Sequence, residues 1–398
     1  MEVHGSESGG GSSTSDTDEP GEDPPCPHVY FGELDVQWTL GASAQDLVAA
    51  DLDGDGLPEL VIPRDRSEIV VLRNLGRDLA TRSHTFEPPA PIEGSNSWAV
   101  AVTDWNGDGR PDLVANGGQI ILLANQGNLK FEPVGAPVRV EHSSERVAVA
   151  DMNGDGREDI IAYGGRGMTI YPAPDQSGVL GDPVSVELGA LGLRRGDVGD
   201  LDGDGFPDLV MAAWGADPFL VVAHGDGSGG FGHIAQYRSS EDMQGLEAKI
   251  VDVDADGILD VVVVGHTRTE PGGQNYVNRK PRLVWMRGDT AGTLTQAAVL
   301  ELSPGAMGWS LAHGDLRSNG KSEVVALAGG IPVPNGEDIM GAFHLLSHRP
   351  GGLENIAPGF IEADTTWSHI LITDLDGDGR QDLVRASGGV AVHWGCVR

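Results

Sequence analysis

Acidic side chains recur at fixed spacing in seven segments of the chain. The segments begin at Asp51, Asp104, Asp151, Asp200, Asp252, Asp315 and Asp374, and we call positions 1 to 9 of each one an acidic loop. The first loop reads DLDGDGLPE, with carboxylates at positions 1, 3, 5 and 9 and glycine at position 6. Carboxylates that alternate along a tight loop converge on one point, and oxygen ligands in this number suit Ca²⁺. The spacing therefore predicts a metal-binding loop, with the backbone carbonyl of position 7 as a further ligand.

Two other structures share part of this pattern, a polar hairpin turn and an EF-hand. Asp-Gly is a common turn dipeptide, but a turn does not need a further acid at position 9. An EF-hand needs glutamate at position 12. The chain instead has there Ile62, Ala115, Ala162, Met211, Val263, Ala326 and Arg385. The segments LVAAD before the first loop and ELVI after it are apolar and rich in residues typical of strands. The loops are therefore predicted to join strand to strand.

The repeat period indicates the fold class. Successive loops begin 53, 47, 49, 52, 63 and 59 residues apart, and a period of about 50 residues is typical of propellers and solenoids. Each repeat reads as inner strand, acidic loop, second strand, third strand and outer strand. The last repeat ends on its third strand, and an unassigned outer strand lies within residues 28–40. We expect an all-β, seven-bladed propeller of four-stranded blades over residues 28–398, with its last blade closed by the N-terminal strand.

With these loops and strands the chain resembles the FG-GAP/VCBS repeat family, the calcium-loop blades of integrin-α-like β-propellers. The resemblance covers about 370 residues and implies Ca²⁺ as a cofactor at about six structural sites. The side-chain ligands that it implies are Asp51, Asp53, Asp55 and Glu59; Asp104, Asn106, Asp108 and Asp112; Asp151, Asn153, Asp155 and Asp159; Asp200, Asp202, Asp204 and Asp208; Asp252, Asp254, Asp256 and Asp260; and Asp374, Asp376, Asp378 and Asp382. The implied carbonyl ligands are those of Leu57, Arg110, Arg157, Phe206, Ile258 and Arg380.

The sixth loop departs from this pattern. It has Arg317 at position 3, Asn319 at position 5 and Lys321 at position 7. A guanidinium can take the place of the ion by pairing with Asp315 and Glu323. We therefore predict that this loop binds no metal.

Composition excludes several classes of protein. The net charge of −34, from 60 acidic and 26 basic residues, argues against a nucleic-acid-binding surface. No stretch reaches the roughly 18 consecutive apolar residues of a membrane span. The sequence contains no HExxH, GxSxG, CxxC or P-loop motif. Residues 1–27 form a Gly/Ser/Asp-rich tether with very few apolar residues, and we expect them to be disordered.

Three features favour a location outside the cytosol or on the cell surface. Calcium loops of extracellular modules bind in the range of about 10⁻⁴–10⁻³ M, which resting cytosol does not supply. The tether resembles those that follow a bacterial lipoprotein anchor, and we expect that an export signal was trimmed from this sequence or that its start is misassigned. Closure of the ring would bring Cys26 and Cys396 together, and a disulfide there would close a very long loop. Two free thiols are the alternative.

We expect the protein to be a monomer.

The ligand-binding face is predicted from the two longest repeats. Their extra residues, 265–281 and 329–341, lie between the second and third strands and so leave the face opposite the acidic loops. In integrin-like propellers this is the face that binds ligand. Candidate ligand-binding residues near this face are His266, Arg268, Tyr276, Arg279, Trp98, Trp309 and Trp367. The alternatives are a solvated loop for the first four and a structural role around the axis for the tryptophans.

Three functions are compatible with these residues. The first is a non-catalytic, calcium-stabilised propeller that binds a glycan or protein ligand. The second is a polysaccharide lyase, in which His266 or Tyr276 supplies the base and Arg279 neutralises the substrate charge. The third is a purely structural scaffold.

Overall fold

The computed structural model describes residues 37–40, 43–78, 83–87, 90–142, 144–189, 191–214, 217–267, 279–302, 307–329, 341–363 and 368–393. Every regular element in these ranges is a β-strand, so the all-β prediction is confirmed. The described residues contain no helix with the length and apolar character that crossing a bilayer requires. The tether over residues 1–27 and the predicted disulfide between Cys26 and Cys396 lie outside the described residues, as do Arg268, Tyr276, Trp367 and most of both long inserts.

Thirty strands lie in the described part of the chain. In chain order they are β1 (Gln37–Thr39), β2 (Val48–Ala50), β3 (Glu59–Arg64), β4 (Glu68–Leu72), β5 (Asn74–Asp78), β6 (Ser83–Phe86), β7 (Ala90–Ile92), β8 (Ala99–Thr103), β9 (Asp112–Asn116), β10 (Gln119–Asn125), β11 (Phe131–Arg139), β12 (Arg146–Ala150), β13 (Asp159–Gly164), β14 (Gly167–Tyr171), β15 (Val184–Glu187), β16 (Leu193–Gly199), β17 (Asp208–Ala213), β18 (Leu220–Gly225), β19 (Phe231–Tyr237), β20 (Met243–Val251), β21 (Asp260–Thr267), β22 (Pro281–Gly288), β23 (Leu294–Glu301), β24 (Met307–Gly314), β25 (Glu323–Gly329), β26 (Gly341–Arg349), β27 (Gly352–Ala363), β28 (His369–Thr373), β29 (Asp382–Ala386) and β30 (Gly389–His393).

Five of the sheets have four strands each. Their orders are β2-β3-β4-β7, β11-β10-β9-β8, β12-β13-β14-β15, β24-β25-β26-β27 and β1-β30-β29-β28. Neighbouring strands are antiparallel, and an acidic loop joins the first strand of each repeat to the second, as predicted. The first repeat carries one addition that the sequence did not predict, the hairpin β5-β6 between its third and outer strands.

The fourth and fifth repeats share one eight-stranded sheet, with the order β19-β18-β17-β16-β20-β21-β22-β23. Each half has the antiparallel arrangement of the four-stranded sheets. The halves meet where β16 runs parallel to β20, and the only register pair of that contact is Arg195 with Glu247.

The two ends of the folded region meet in one sheet. Strand β1 pairs antiparallel with β30, so that Gln37 faces Ala391 and Thr39 faces Gly389. Beyond the strands, the backbone N–H of Leu40 donates to the carbonyl of Gly388 at 2.9 Å. The N-terminal strand therefore completes the last sheet, which confirms this part of the prediction.

Hydrophobic clusters fill the spaces between consecutive sheets. The residue at position 2 of each acidic loop is buried and packs against the next repeat. Leu52 of the first loop, for example, joins Val100 and Leu113 of the second repeat. Leu375 of the last loop packs with Leu60 and other residues of the first repeat. Each loop is therefore fixed to two sheets, and burial of this one apolar residue positions its acids at the edge of the core.

Candidate functional site

The acidic loops share one backbone conformation. In all seven, the position-1 carboxylate accepts a hydrogen bond from the backbone N–H of position 6, as from Gly56 to Asp51 at 2.9 Å. Glycines at positions 4 and 6 have positive φ, 81° at Gly54 and 90° at Gly56. In the fifth and sixth loops Ala255 and Ser318 occupy position 4 with φ of 59° and 50°. The loop conformation is thus kept even where the preferred glycine is missing.

This conformation brings carboxylates together. In four loops, three carboxylate oxygens lie within 4.8 Å of one another. The groups are Asp51, Asp53 and Glu59; Asp200, Asp202 and Asp204; Asp252, Asp254 and Asp260; and Asp374, Asp376 and Asp382. Three of the four sequence-predicted side-chain ligands therefore lie together in each of these loops.

The acid at position 9 is buried and ties the loop to the third strand. Both oxygens of Glu59 accept backbone hydrogen bonds, from Leu52 at 2.8 Å and from Asn74 at 3.3 Å. Burial, with the nearby charges of Asp53 and Asp55, raises the pKa of Glu59 to about 7. Burial in the same way raises the pKa of Asp112 to about 6. A cation beside these carboxylates would offset the effect of burial and lower their pKa values.

The donor set fits a hard divalent cation. Among the described residues, no hydrogen-bond donor reaches the buried oxygens Oδ2 of Asp112, Oδ1 of Asp200 or Oδ1 of Asp254. Buried carboxylate oxygens without donors are costly unless a positive charge approaches them. Because the candidate ligands are all oxygens, the loops suit Ca²⁺ rather than a metal that prefers sulfur or nitrogen.

The sixth loop carries its own cation. Nη2 of Arg317 lies 2.6 Å from Oε1 of Glu323, which is fully buried. The same guanidinium donates to Oγ of Ser347 at 2.6 Å. The predicted pairing with Glu323 is therefore present. Asp315, the other expected partner, accepts hydrogen bonds from the backbone N–H groups of Asn319 and Gly320.

Basic residues on or just after third strands also face the loops, and sequence reasoning missed them. Arg73 follows β4 and lies 2.6 Å from Asp53, while Arg287 of β22 lies 2.7 Å from Asp254. In the fourth repeat, Nδ1 of His224 lies 3.3 Å from Oδ2 of Asp208. The acidic loops therefore differ in their neighbouring charges although their sequences are alike.

A second site lies at the opposite end of the same strands. It is a cavity of about 560 Å³, which we call the central pocket. Each repeat contributes the residue six positions before the first aspartate of its acidic loop. These equivalent residues are Gln45, Trp98, Glu145, Arg194, Leu246, Trp309 and Ser368. Since they come from seven repeats and line one cavity, the innermost strands converge there.

The central pocket is rich in arginine. Arg66, Arg146, Arg194 and Arg195 line it, together with the acids Asp65 and Glu145. Burial lowers the pKa of Arg195 to about 10, and the charge of Arg146 acts in the same direction. His369 also lines the pocket, and burial holds its pKa well below the ordinary value.

Arg195 is held by residues from three other repeats. Its Nη2 donates to the carbonyl of Gln45 at 2.9 Å and lies 2.7 Å from Nε2 of His369. Its Nη1 lies 3.7 Å from Oε2 of Glu247. The guanidinium is therefore fixed in one orientation beside the pocket.

Two of the sequence-predicted ligand residues meet in this pocket. Trp98 and Trp309 both line it, and the guanidinium of Arg66 lies 5.1 Å from the centre of the Trp98 ring. Trp367 lies outside the described residues, and its neighbour Ser368 occupies the position equivalent to the other two tryptophans.

Two more candidates, His266 and Arg279, form a separate group. Nη1 of Arg279 lies 2.9 Å from Nε2 of His266. Trp214 packs edge-on against His266 at 5.0 Å, with the guanidiniums of Arg194 and Arg279 over its ring. His266 is fully buried, and burial, with the charge of Arg279, lowers its pKa to about 3. A buried imidazole of such low basicity is not suited to act as the base of a lyase.

The family of the repeats follows from a direct match. Residues 51–115 and 200–263 match the model of the FG-GAP-like repeat family, and both segments begin at the first aspartate of an acidic loop. The chain contains FG-GAP-like repeats. No curated protein matches the sequence.

Solved structures identify the fold in which these FG-GAP-like repeats are arranged. The crystal structure of BBS1N in complex with ARL6DN, soaked with lead, has a TM-score of 0.54 and 13% identity, covering 91% of this chain and 97% of that one. The mercury-soaked form of the same complex has a TM-score of 0.53 and 13% identity, and the match covers 92% of this chain and 97% of that one. An Agrocybe aegerita lectin that recognises non-reducing terminal N-acetylglucosamine has a TM-score of 0.49 and 17% identity, and the match covers 81% of this chain and 82% of that one. At these identities the BBS1N structures show the fold alone, a β-propeller.

Proposed function

We propose that this protein is a calcium-stabilised β-propeller that acts as a non-catalytic binding module, with its ligand in the central pocket. The observation that carries the proposal is the convergence of seven equivalent residues on one cavity at the face opposite the acidic loops. Binding residues gather where a rigid scaffold presents its loops, and a cavity of this size falls within the range of small-ligand sites.

We propose that the propeller has seven closed blades. Two observations support this count. The eight-stranded sheet consists of two antiparallel halves that share one register pair, so each half corresponds to one blade. The hydrophobic cluster around Leu375 and Leu60 joins the last repeat to the first, as closure of a ring requires.

Calcium is the cofactor that we propose for the six intact loops. In four of them three carboxylate oxygens lie together, and Asn106 and Asn153 provide amide oxygens in the other two. The role of the ion is structural, because the position-9 acids of five of these loops accept a hydrogen bond from the backbone at the end of a third strand. Sites of this kind fill at extracellular calcium concentrations, which supports a location outside the cell or at its surface.

A glycan is the ligand class that fits the pocket better than a protein surface does. The lining offers two indole rings, from Trp98 and Trp309, and several hydrogen-bonding side chains in a concave site. Sugars present both an apolar ring face and hydroxyl groups, and this combination matches such a lining. A protein ligand would need a broader contact than this cavity supplies.

The experiment is a glycan array with the calcium-loaded full chain and two variants. Trp98→Ala removes one indole from the pocket and should reduce binding by about tenfold, in line with loss of a buried aromatic contact. Phe206→Ala is the matched control, since it removes an aromatic side chain at the acidic-loop face and keeps the backbone carbonyl of that position. An array without bound glycan, or a Trp98→Ala variant that binds like the parent, would contradict the proposal.

A further inference from the structure

We propose that the central pocket recognises the carboxylate of an acidic sugar; the inference rests on the proposed function and names its ligand class. The whole chain has a net charge of −34. The pocket nevertheless has four arginines, Arg66, Arg146, Arg194 and Arg195, against the two acids Asp65 and Glu145. Its lining is thus positive within a strongly negative protein, and a concave positive site concentrates anions.

Three of these arginines have no carboxylate partner. In the part of the chain that the structure describes, Arg66, Arg146 and Arg194 form no ion pair within 4.0 Å. Arg64, Arg73 and Arg282, by contrast, each pair with an acid. Acids outnumber basic residues by 60 to 26, so unpaired arginines gathered in one cavity are unexpected unless an anion comes from outside.

The donors of these arginines are partly unused. The buried Nε atoms of Arg194 and Arg195 have no hydrogen-bond partner among the described residues. Arg146 makes one long hydrogen bond, from Nη1 to the carbonyl of Gln45 at 3.4 Å. Guanidinium groups bind carboxylates through two parallel N–H donors, and this geometry is not available to lysine.

Arg195 is preorganised for such a ligand. Gln45, His369 and Glu247 hold its guanidinium from three sides, as described above. Its positive charge is therefore in place beside the pocket before a ligand binds. We regard Arg195 as a positioning residue whose fixed positive charge attracts the anion into the pocket. Arg146 and Arg194 are the residues that contact the carboxylate.

The two acids of the pocket add hydrogen-bond acceptors to its lining. Asp65 and Glu145 leave an excess of two positive charges in the lining, and their carboxylates can accept hydrogen bonds from sugar hydroxyls. Trp98 and Trp309 provide ring faces against which the sugar can pack.

The test is isothermal titration calorimetry with the calcium-loaded full chain. The first probes are oligomers of galacturonate, glucuronate and mannuronate and a sialyl oligosaccharide, each as the free acid and as its methyl ester. A further probe is a sulfated galactan oligomer, which is anionic but has no carboxylate. We expect at least one free acid to bind about tenfold more tightly than its ester, as charged hydrogen bonds imply. Arg146→Gln and Arg194→Gln should each remove about tenfold of that affinity and leave binding of the ester unchanged.

The controls separate the two proposals. Arg349→Gln removes an exposed arginine that is 3.9 Å from Glu354 on another surface, and it should bind like the parent. Melting curves of all variants establish that they fold. If ester and acid bind equally well, or if only the sulfated oligomer binds, the carboxylate inference is wrong while the binding-module proposal stands. If no glycan of any charge binds, both proposals are wrong.

Discussion

Nη2 of Arg73 lies 2.6 Å from Oδ2 of Asp53, so a guanidinium forms an ion pair with the second acid of the first acidic loop. The hydrogen bond to Asp53 raises the pKa of Arg73. Arg287 has the same relationship to Asp254, at 2.7 Å. In the second loop Nη2 of Arg110 lies 2.5 Å from Oδ2 of Asp108. At least three of the six intact loops therefore have an internal cation beside the carboxylates that we assign to calcium, and the repeats are not equivalent as metal sites.

Removing these arginines should strengthen calcium binding. The double variant Arg73→Ala/Arg287→Ala removes the competing charge from two loops, and we expect their affinity to rise about two- to fivefold, the effect of a partly exposed ion pair. Calorimetric calcium titration measures the change. Arg349→Ala is the control, because its exposed partner Glu354 belongs to no acidic loop. Unchanged or weaker binding in the double variant would show that the arginines do not compete with the ion.

Loss of one loop acid should remove one calcium ion and no more. Asp55→Ala deletes a position-5 carboxylate that also accepts from the N–H of Leu57. At a calcium concentration of a hundred times Kd, the variant should lose about 2.7 kcal/mol of unfolding free energy, the linkage term of one site. In excess chelator the parent and variant should differ little.

A matched control for this variant lies outside the acidic loops. Asp175→Ala removes an exposed aspartate that makes the same kind of local turn, accepting from the N–H of Ser177 at 2.8 Å. It should keep the full calcium stoichiometry. If Asp55→Ala loses the same unfolding free energy with and without calcium, the loop is an ordinary turn.

The sixth loop should respond in the opposite way. Arg317→Ala leaves the buried carboxylate of Glu323 without its charged partner, and we expect a loss of about 2 kcal/mol in unfolding free energy. The loss of unfolding free energy should be the same in calcium and in chelator, because the guanidinium of Arg317 lies beside Glu323, where we propose an ion in the other loops. Denaturant titration under both conditions measures it. A loss seen only in calcium would show that the sixth loop binds metal after all.

Acid should destabilise the protein partly through His266. Its folded pKa is about 3 against an ordinary value of 6.5, so between these values the unfolded chain binds the proton and the folded chain does not. Its contribution to stability is therefore full above pH 6.5 and is lost as the pH falls toward 3. His266→Gln should reduce proton uptake on unfolding at pH 5 by about one proton. The slope of the unfolding free energy against pH should therefore fall by about 1.4 kcal/mol per pH unit.

The pH dependence of the unfolding free energy between pH 4 and 6.5 measures this slope in the parent and the variant. His233→Gln, which replaces an exposed histidine, is the control for the substitution itself. Identical slopes for His266→Gln and the parent would mean that His266 is not buried in its neutral form.

Much of the fold could be predicted because the acidic loops repeat with their flanking strands. The pattern of Asp51–Glu59, repeated at a regular period, indicated strand–loop–strand units, and the missing outer strand of the last repeat indicated that β1 pairs with β30. The hairpin β5-β6 escaped prediction because it occurs in one repeat only. The sharing of one sheet by two repeats depends on a single parallel register pair, Arg195 with Glu247, which no local pattern marks.

The candidate site was only partly predictable. The acids of the loops could be found because they are adjacent in sequence. The central pocket could not, because its equivalent positions hold residues of different types, such as Gln45, Arg194 and Leu246. The fixed offset of six residues before each first aspartate is the sequence signal that marks these positions. The pairs Arg73–Asp53 and Arg287–Asp254 join residues at different sequence separations, so no period reveals them.

The dependence of the melting temperature on calcium tests the central claim most directly. Scanning calorimetry of the full chain in millimolar calcium and in excess chelator compares the two states of the acidic loops. We predict a higher melting temperature with calcium, rising further with its concentration, because ions that bind only the folded chain stabilise it by mass action. An identical melting temperature in excess chelator would contradict the account.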